Sequence, residues 1–329
     1  MSDMSNVDAA ATTADGENSR WLIRLWLLAV TFLLVALAVS DQVGVPLRDP
    51  AGVVFRNRVA ISVLLFAGLC LVDWLVRRRT RTGREIALAL GGLLAYHVVY
   101  AAYRNLKSWT AFRTDRDDFL ARVDDRLFFG HDPAALLHDL LHTFIGEQVV
   151  AQGLAYLYES FASLVAVAVV ASVVFAPRVR DGFVFIASAM WLWVLGICSY
   201  YLIPSLGPFA TAPAQFALLP HTIITAKQDT LLADRAALLA DPGAADGFAA
   251  ISAFASLHVA FTFLILMTVR RHGRRWATAL MSVVFAGTVL ATIYFGWHFV
   301  IDDVVGIVLA LAALKLGEKT IHPRTLRID

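Results

Sequence analysis

The stretch His298-Phe299-Val300-Ile301-Asp302-Asp303-Val304-Val305-Gly306-Ile307-Val308-Leu309-Ala310-Leu311-Ala312-Ala313-Leu314-Lys315-Leu316 decides the fold. At 1.5 Å rise per residue it makes a helix of about 28 Å, close to the ~30 Å hydrocarbon thickness of a bilayer. Its interior is apolar all round, and its ionisable residues stand at the two ends. Working outward, seven more runs have the same character: 21–40, 59–76, 85–103, 149–176, 183–203, 251–269 and 276–294. The expected architecture is therefore all-α: a polytopic membrane bundle of about eight transmembrane helices, the first two preceding a core of six.

Composition agrees. Of 329 residues, 59% are hydrophobic and 16% charged, against about 25% charged in soluble domains. No water-soluble domain of this length hides so much apolar surface. The expected organisation is a disordered, acidic tail over 1–19, two N-terminal membrane helices over 20–84, the core over 85–316 and a tail over 317–329. Cys70 and Cys198 sit inside apolar runs and read as packed side chains. Nothing in the chain calls for nucleic acid.

Basic residues in short loops set orientation. Arg77-Arg78-Arg79-Thr80-Arg81-Thr82-Gly83-Arg84 follows the second run, Arg178 and Arg180 the fourth, and Arg270, Arg271, Arg274 and Arg275 the sixth. With eight spans these loops share one side, expected to be cytoplasmic together with both termini. The chain is expected in the cell membrane. Ala36-Leu37-Ala38 resembles a signal-peptidase site, but the acidic leader favours an uncleaved anchor. The opposite side carries the long segments 104–148 and 204–250. Within them 127–145 and 225–239 read as amphipathic surface helices.

Two polar clusters open spans at that outer side. One is Phe254-Ala255-Ser256-Leu257-His258; the other is Gly296-Trp297-His298 with Asp302 and Asp303. Ionisable groups at bilayer depth face a cavity or a partner. His298 and Asp302 are four apart and share a helical face, where a carboxylate can orient an imidazole; Asp303 is expected to point elsewhere. By themselves these residues also permit metal ligation or a proton-coupled carrier. A carrier would place polar groups near span midpoints and break its helices, and a non-catalytic scaffold would leave the convergence unexplained.

Ser256-x-His258 followed by His298-x-x-x-Asp302 resembles the type 2 phosphatidic acid phosphatase superfamily. Tyr200-Tyr201-Leu202-Ile203-Pro204-Ser205-Leu206-Gly207-Pro208, Asp124-Asp125-Arg126-Leu127-Phe128-Phe129-Gly130 and Phe295-Gly296-Trp297-His298 are similar to its inositol-phosphotransferase branch, which includes inositol phosphorylceramide synthases. The resemblance implies a metal-independent, cofactor-free lipid phosphatase or phosphotransferase with its site on the extracytoplasmic face. His298 would attack phosphorus to give a phosphohistidine, Asp302 would orient it, His258 would act as general acid and Ser256 would bind a phosphoryl oxygen. The implied donor is a lipid phosphate or phospholipid; the acceptor is water or an alcohol such as inositol or a sugar.

The chain departs from the superfamily in its phosphate clamp. Pro204–Pro208 holds no cation where the first motif supplies a lysine and an arginine, and Thr292 stands where the third motif has an arginine. Arg104 and Lys107, at the outer end of the third span, are the candidate replacements, with interface snorkelling as the alternative. Lys227 and Arg235 are further candidates. His97 and Tyr100 share Arg104's face, and His138 with His142 are spaced as a metal pair or as part of a solvated face.

Overall fold

The structure is a computed structural model describing residues 3–49 and 54–323, the side chains of 3–19 and 54 excepted. The tails expected at 1–19 and 317–329 fall wholly or partly outside the described side chains. Among the described residues 78% are helical and none forms a strand.

The helices follow the apolar runs. They are α1 (Asp3–Val43), α2 (Val54–Arg77), α3 (Gly83–Trp109), α4 (Asp117–Leu127), α5 (Pro133–Phe144), α6 (Glu147–Glu159), α7 (Phe161–Val174), α8 (Val179–Leu202), the single turn α9 (Pro208–Thr211), α10 (Ile223–Ala240), α11 (Leu257–Arg271), α12 (Arg275–Tyr294) and α13 (Val300–Ile321). Among the described residues, six segments are long and apolar enough to cross a membrane: Arg20–Val43, Phe55–Arg77, Gly83–Phe112, Glu147–Val174, Val179–Leu202 and Arg275–Tyr294. The fourth is α6 and α7, which divide at Ser160, whose Oγ donates to the Leu157 carbonyl (2.6 Å).

The sixth and eighth expected spans differ from their reading. Ser256 caps α11, so residues 251–256 are not helical and α11 is about 22 Å long. Its missing turns form a buried loop. Helix α13 is about 33 Å long, yet Asp302, Asp303, Lys315, Glu318 and Lys319 lower its apolarity. Both nonetheless pack inside the bundle, α13 along α8 and α11 between α12 and α13. The core is tight and aromatic: Trp193 packs at a tilt against Tyr103 and Phe261, with centroids 4.3 Å away in each case.

The arginine-rich loops gather at one end. Arg79 and Arg81 donate to carbonyls ending α7 and the residues after it, Arg180 donates to Ile321 O at the end of α13 (2.8 Å), and Arg271 pairs with Glu318. The contacts of Arg79, Arg81 and Arg180 satisfy carbonyls left orphan around helix C-termini. Ser256, His258 and His298 stand at the other end of the same helices.

The amphipathic segments become α5 and α10. Asp132 caps α5, accepting from Ala134 N–H (2.8 Å), and a Thr222–Thr225 capping box starts α10.

Candidate active site

The site is built on two helix starts held against each other. At the start of α13, the first-turn amides are met by carboxylates from two directions. Phe299 N–H donates to Asp302 Oδ2 (3.1 Å), while Val300 and Ile301 donate to Asp124 of α4 (2.6 and 3.1 Å). Negative charge is favoured at exposed helix N-termini for this reason. Ser256 N–H donates to the Asp302 carbonyl (3.0 Å), locking the start of α11 to α13. Gly306 makes that approach possible, since a Cβ there would stand 2.4 Å from the Ser256 carbonyl oxygen.

The loop after α8 braces the other side. Asp117 accepts from Ser205 Oγ (2.8 Å) and from the amides of Leu206 and Gly207. Ser205 O accepts from Ala253 N–H (2.8 Å), and Phe209 N–H donates to Gly296 O (2.9 Å). Gly207 has φ +96°, and a Cβ there would meet the Trp297 carbonyl at 2.4 Å. The stretches around 124–130 and 200–208 therefore hold the two loops that carry the histidines.

His298 and Asp302 are buried, at 6% and 0% exposure, with Nδ1 3.4 Å from Asp302 Oδ2. Their expected pairing is present as a close contact longer than a hydrogen bond, and Nδ1 has no hydrogen-bond partner among the described residues. Asp303 corrects its reading. It is buried and accepts from Oγ1 of Thr292 (2.8 Å), the residue whose carbonyl holds the turn before His298. Thr292 also accepts Trp297 and His298 N–H on its carbonyl (2.9 and 3.3 Å). The residue in the arginine's place thus shapes the turn that presents the histidine.

His258 stacks on Tyr158 with ring centroids 4.3 Å apart, and its Nδ1 is 3.3 Å from the Tyr158 hydroxyl. Phe161 covers it from a second side at 4.1 Å. Ser256 is fully buried, and its Oγ accepts from Val259 N–H (3.4 Å) as the cap of α11. The cavity wall presents Ser252 rather than Ser256.

One cavity of about 280 Å³ is lined by His258 and His298 together with Arg104, Lys107, Lys227, Tyr200 and Trp297. Arg104 lies over Phe248 (4.7 Å) and Lys107 over Tyr200 (5.6 Å). Neither has a carboxylate partner among the described residues. Lys227 is paired with Glu159 (2.6 Å), and Arg235 pairs with Asp115 (3.2 Å) away from the cavity. Tyr100 lines the wall; His97 instead bonds Ser62 of α2 (2.8 Å). The sequence reading missed Arg58 and Tyr158, both of which line this cavity. Arg58 carried the same signal as Arg104, a cation at the outer end of an apolar run.

A second cavity, about 400 Å³, reaches His298, Phe299 and Val300 from the α4 side and is lined by Asp118, Asp125 and His131. His138 and His142 clasp Tyr294 through its carbonyl (2.8 Å) and hydroxyl (2.9 Å), so their shared face meets the end of α12. Burial lowers the His138 pKa, and its contact with the Tyr294 carbonyl opposes that shift.

A sequence model of the PAP2 superfamily matches residues 118–316, more than half of the chain and the whole stretch carrying His258, His298 and Asp302. The chain belongs to the PAP2 superfamily. No curated protein and no solved structure matches it. Membership of the PAP2 superfamily, with several apolar spans, supports a phosphatase-type activity on a lipid phosphate in a multi-pass membrane protein. The match begins after α3, so Arg58, Arg104 and Lys107 lie outside it.

Proposed function

We propose that this PAP2 protein transfers a phosphorylated group from a lipid through a phosphohistidine at His298, without metal or cofactor, on the extracytoplasmic face. The observation that carries the reading is that one cavity joins His258 and His298 to Arg104 and Lys107, two cations with no acidic partner among the described residues. Phosphoryl transfer needs in-line placement of attacking and leaving atoms plus positive charge around the equatorial oxygens.

His298 attacks phosphorus as the bond to the leaving oxygen breaks, and His258 supplies the proton that oxygen takes up. Asp302 orients the His298 ring and offsets its charge. An incoming hydroxyl then gives its proton to His258, forms the new P–O bond and breaks the P–N bond. Arg104 and Lys107 replace the missing motif cations. Ser256 acts through position, by capping α11 and holding it to α13, rather than by touching phosphate. The collection of the arginine loops at the far end of the bundle favours that end as cytoplasmic, with both termini.

We infer an alcohol acceptor, inositol or a sugar, over water. The resemblance of residues 124–130 and 200–208 to the phosphotransferase branch supports this, as does the second cavity beside His298, where the exposed carboxylates of Asp118 and Asp125 suit hydroxyl donors. The core is assigned to 85–316, with 20–84 as an N-terminal pair of helices.

The test is purified protein in detergent with phosphate-labelled lipids, with and without inositol or sugar. Label held on the protein and lost in His298→Ala supports the phosphohistidine. Label moving to the added alcohol supports transfer, whereas inorganic phosphate regardless of acceptor establishes a phosphatase. Loss of activity on chelation would overturn the metal-free reading.

A further inference from the structure

Arg58 of α2 stands where two cavities meet. It lines the histidine cavity, and it also lines a groove of about 350 Å³ between α2, α3 and α7. Ala162 is shared in the same way. The groove walls are mostly apolar, with Leu65, Ala166 and Val169 among them, and its rim residues Ile61 and Val167 are about half exposed on the outer surface of the bundle, where lipid would be. The guanidinium lies over the Tyr100 ring at 3.9 Å, and among the described residues its buried Nε has no hydrogen-bond partner. Among the described residues Arg58 forms no ion pair.

A snorkelling arginine turns its head to water and satisfies its donors there. Arg58 is instead partly buried, with its guanidinium on Tyr100 and its Nε out of water, at the junction between a cationic site and an apolar groove. That juxtaposition fits an amphiphile with an anionic head and a hydrocarbon chain, and planar guanidinium forks suit phosphate oxygens.

We propose that Arg58 binds the anionic head of the lipid substrate while the groove between α2, α3 and α7 holds its hydrocarbon chain. The proposal rests on the lipid-phosphate reading above and adds that the N-terminal helix pair, outside the superfamily match, completes the substrate site. Arg58 is then a binding residue: its loss weakens capture of substrate and leaves the chemical step to the histidines.

The test has two arms. In the first, KM and kcat are measured in detergent micelles for dioleoyl and dihexanoyl phosphatidate. Arg58→Gln should raise KM for both about ten- to hundredfold, with kcat within about threefold and Arg58→Lys intermediate. Ala166→Phe, which narrows the groove, should raise KM for the dioleoyl lipid only. Wild-type KM in Arg58→Gln, or an unchanged chain-length preference in Ala166→Phe, would overturn the proposal.

The second arm does not depend on turnover. His298→Ala protein is irradiated with a phosphatidate carrying a diazirine in its acyl chain. Cross-links should map to α2 and α7, and should fall in Arg58→Gln/His298→Ala and with a diazirine diacylglycerol lacking phosphate. Cross-links equal with and without the phosphate would overturn the proposal. Specific cross-links in a protein that turns over no lipid phosphate would leave the groove assignment standing and remove the enzymatic reading. Turnover lost in His298→Ala, with no cross-links on α2 or α7, would do the reverse.

Discussion

The histidine cavity is walled by two regions of different origin. His258, His298 and Asp302 lie within 118–316, the part that matches the PAP2 superfamily, whereas Arg58, Arg104 and Lys107 come from α2 and α3, ahead of the match. The first region is braced by contacts to backbone, with carboxylates on helix-start and loop amides and two glycines, Gly207 and Gly306, at close approaches. The second is braced by aromatic faces: Phe248 under Arg104, Tyr200 under Lys107 and Tyr100 under Arg58. Groups that form and break bonds need fixed placement, while groups that gather anionic oxygens need charge at roughly the right depth. Cations can therefore change their position in the chain more readily than the histidines can.

This division predicts graded effects. The largest belongs to the histidines. His298→Ala should abolish turnover and covalent labelling together. His258→Ala should abolish turnover on substrates with an ordinary alkoxide leaving group, and a lipid analogue with a good leaving group should restore labelling of His298. Restored labelling would separate proton donation from nucleophilic attack; labelling lost on both substrates would place His258 in binding instead.

Next come the two carboxylates. Asp302→Asn should keep the fold, since an amide oxygen can still accept from Phe299 N–H, but lose roughly 10²–10⁴ in kcat. Asp303→Asn should lose less than about tenfold, because its contact with Thr292 survives. The structure narrows the difference expected from helical phase alone, as Asp303 turns back toward the site. Equal losses, measured side by side, would make the pair of carboxylates the unit that acts on His298.

Smaller again are the cations. Lys107→Met and Arg104→Gln should each raise KM by about ten- to hundredfold, with a lesser fall in kcat, as expected for charge-assisted contacts made throughout the reaction. Unchanged kinetics in both would return these residues to membrane-interface anchoring and break the division between the two regions.

How far the sequence could be read follows the same division. The membrane bundle was legible because apolar runs of span length have few other uses, and His298-x-x-x-Asp302 was legible because helical spacing fixes which residues share a face. Arg58 was not singled out because α2 reads as preceding the core; only packing of α2 on α3 and α7 brings it to the cavity. Helix α4 was missed because its role is long-range, Asp117 and Asp124 serving amides far along the chain that only the fold brings near. The start of α11 was placed too early, since the apolarity of residues 251–255 gives no sign that they run as a loop up to the Ser256 cap. For His138 and His142 the i, i+4 spacing put both on one face, but that face was read as a metal pair or as solvated, and only tertiary contact identifies Tyr294 as what the pair holds.

That clasp gives the smallest and most indirect prediction. His138 lies close enough to hydrogen-bond the Tyr294 carbonyl at the head of the turn that presents His298, and burial keeps its pKa below the ordinary 6.5. As pH falls below that value, the unfolded chain takes up a proton that folded His138 resists, so its contribution to stability is present above about 6.5 and is lost with falling pH. Thermal unfolding in detergent at neutral and mildly acidic pH should show the wild type losing more stability on acidification than His138→Asn, which can keep a donor near the carbonyl but cannot titrate. The same comparison applied to KM and kcat tells whether the clasp matters to the site: a slope in kcat that disappears in His138→Asn would tie α5 to the placement of His298, while a slope confined to unfolding would make the clasp a brace for the fold alone.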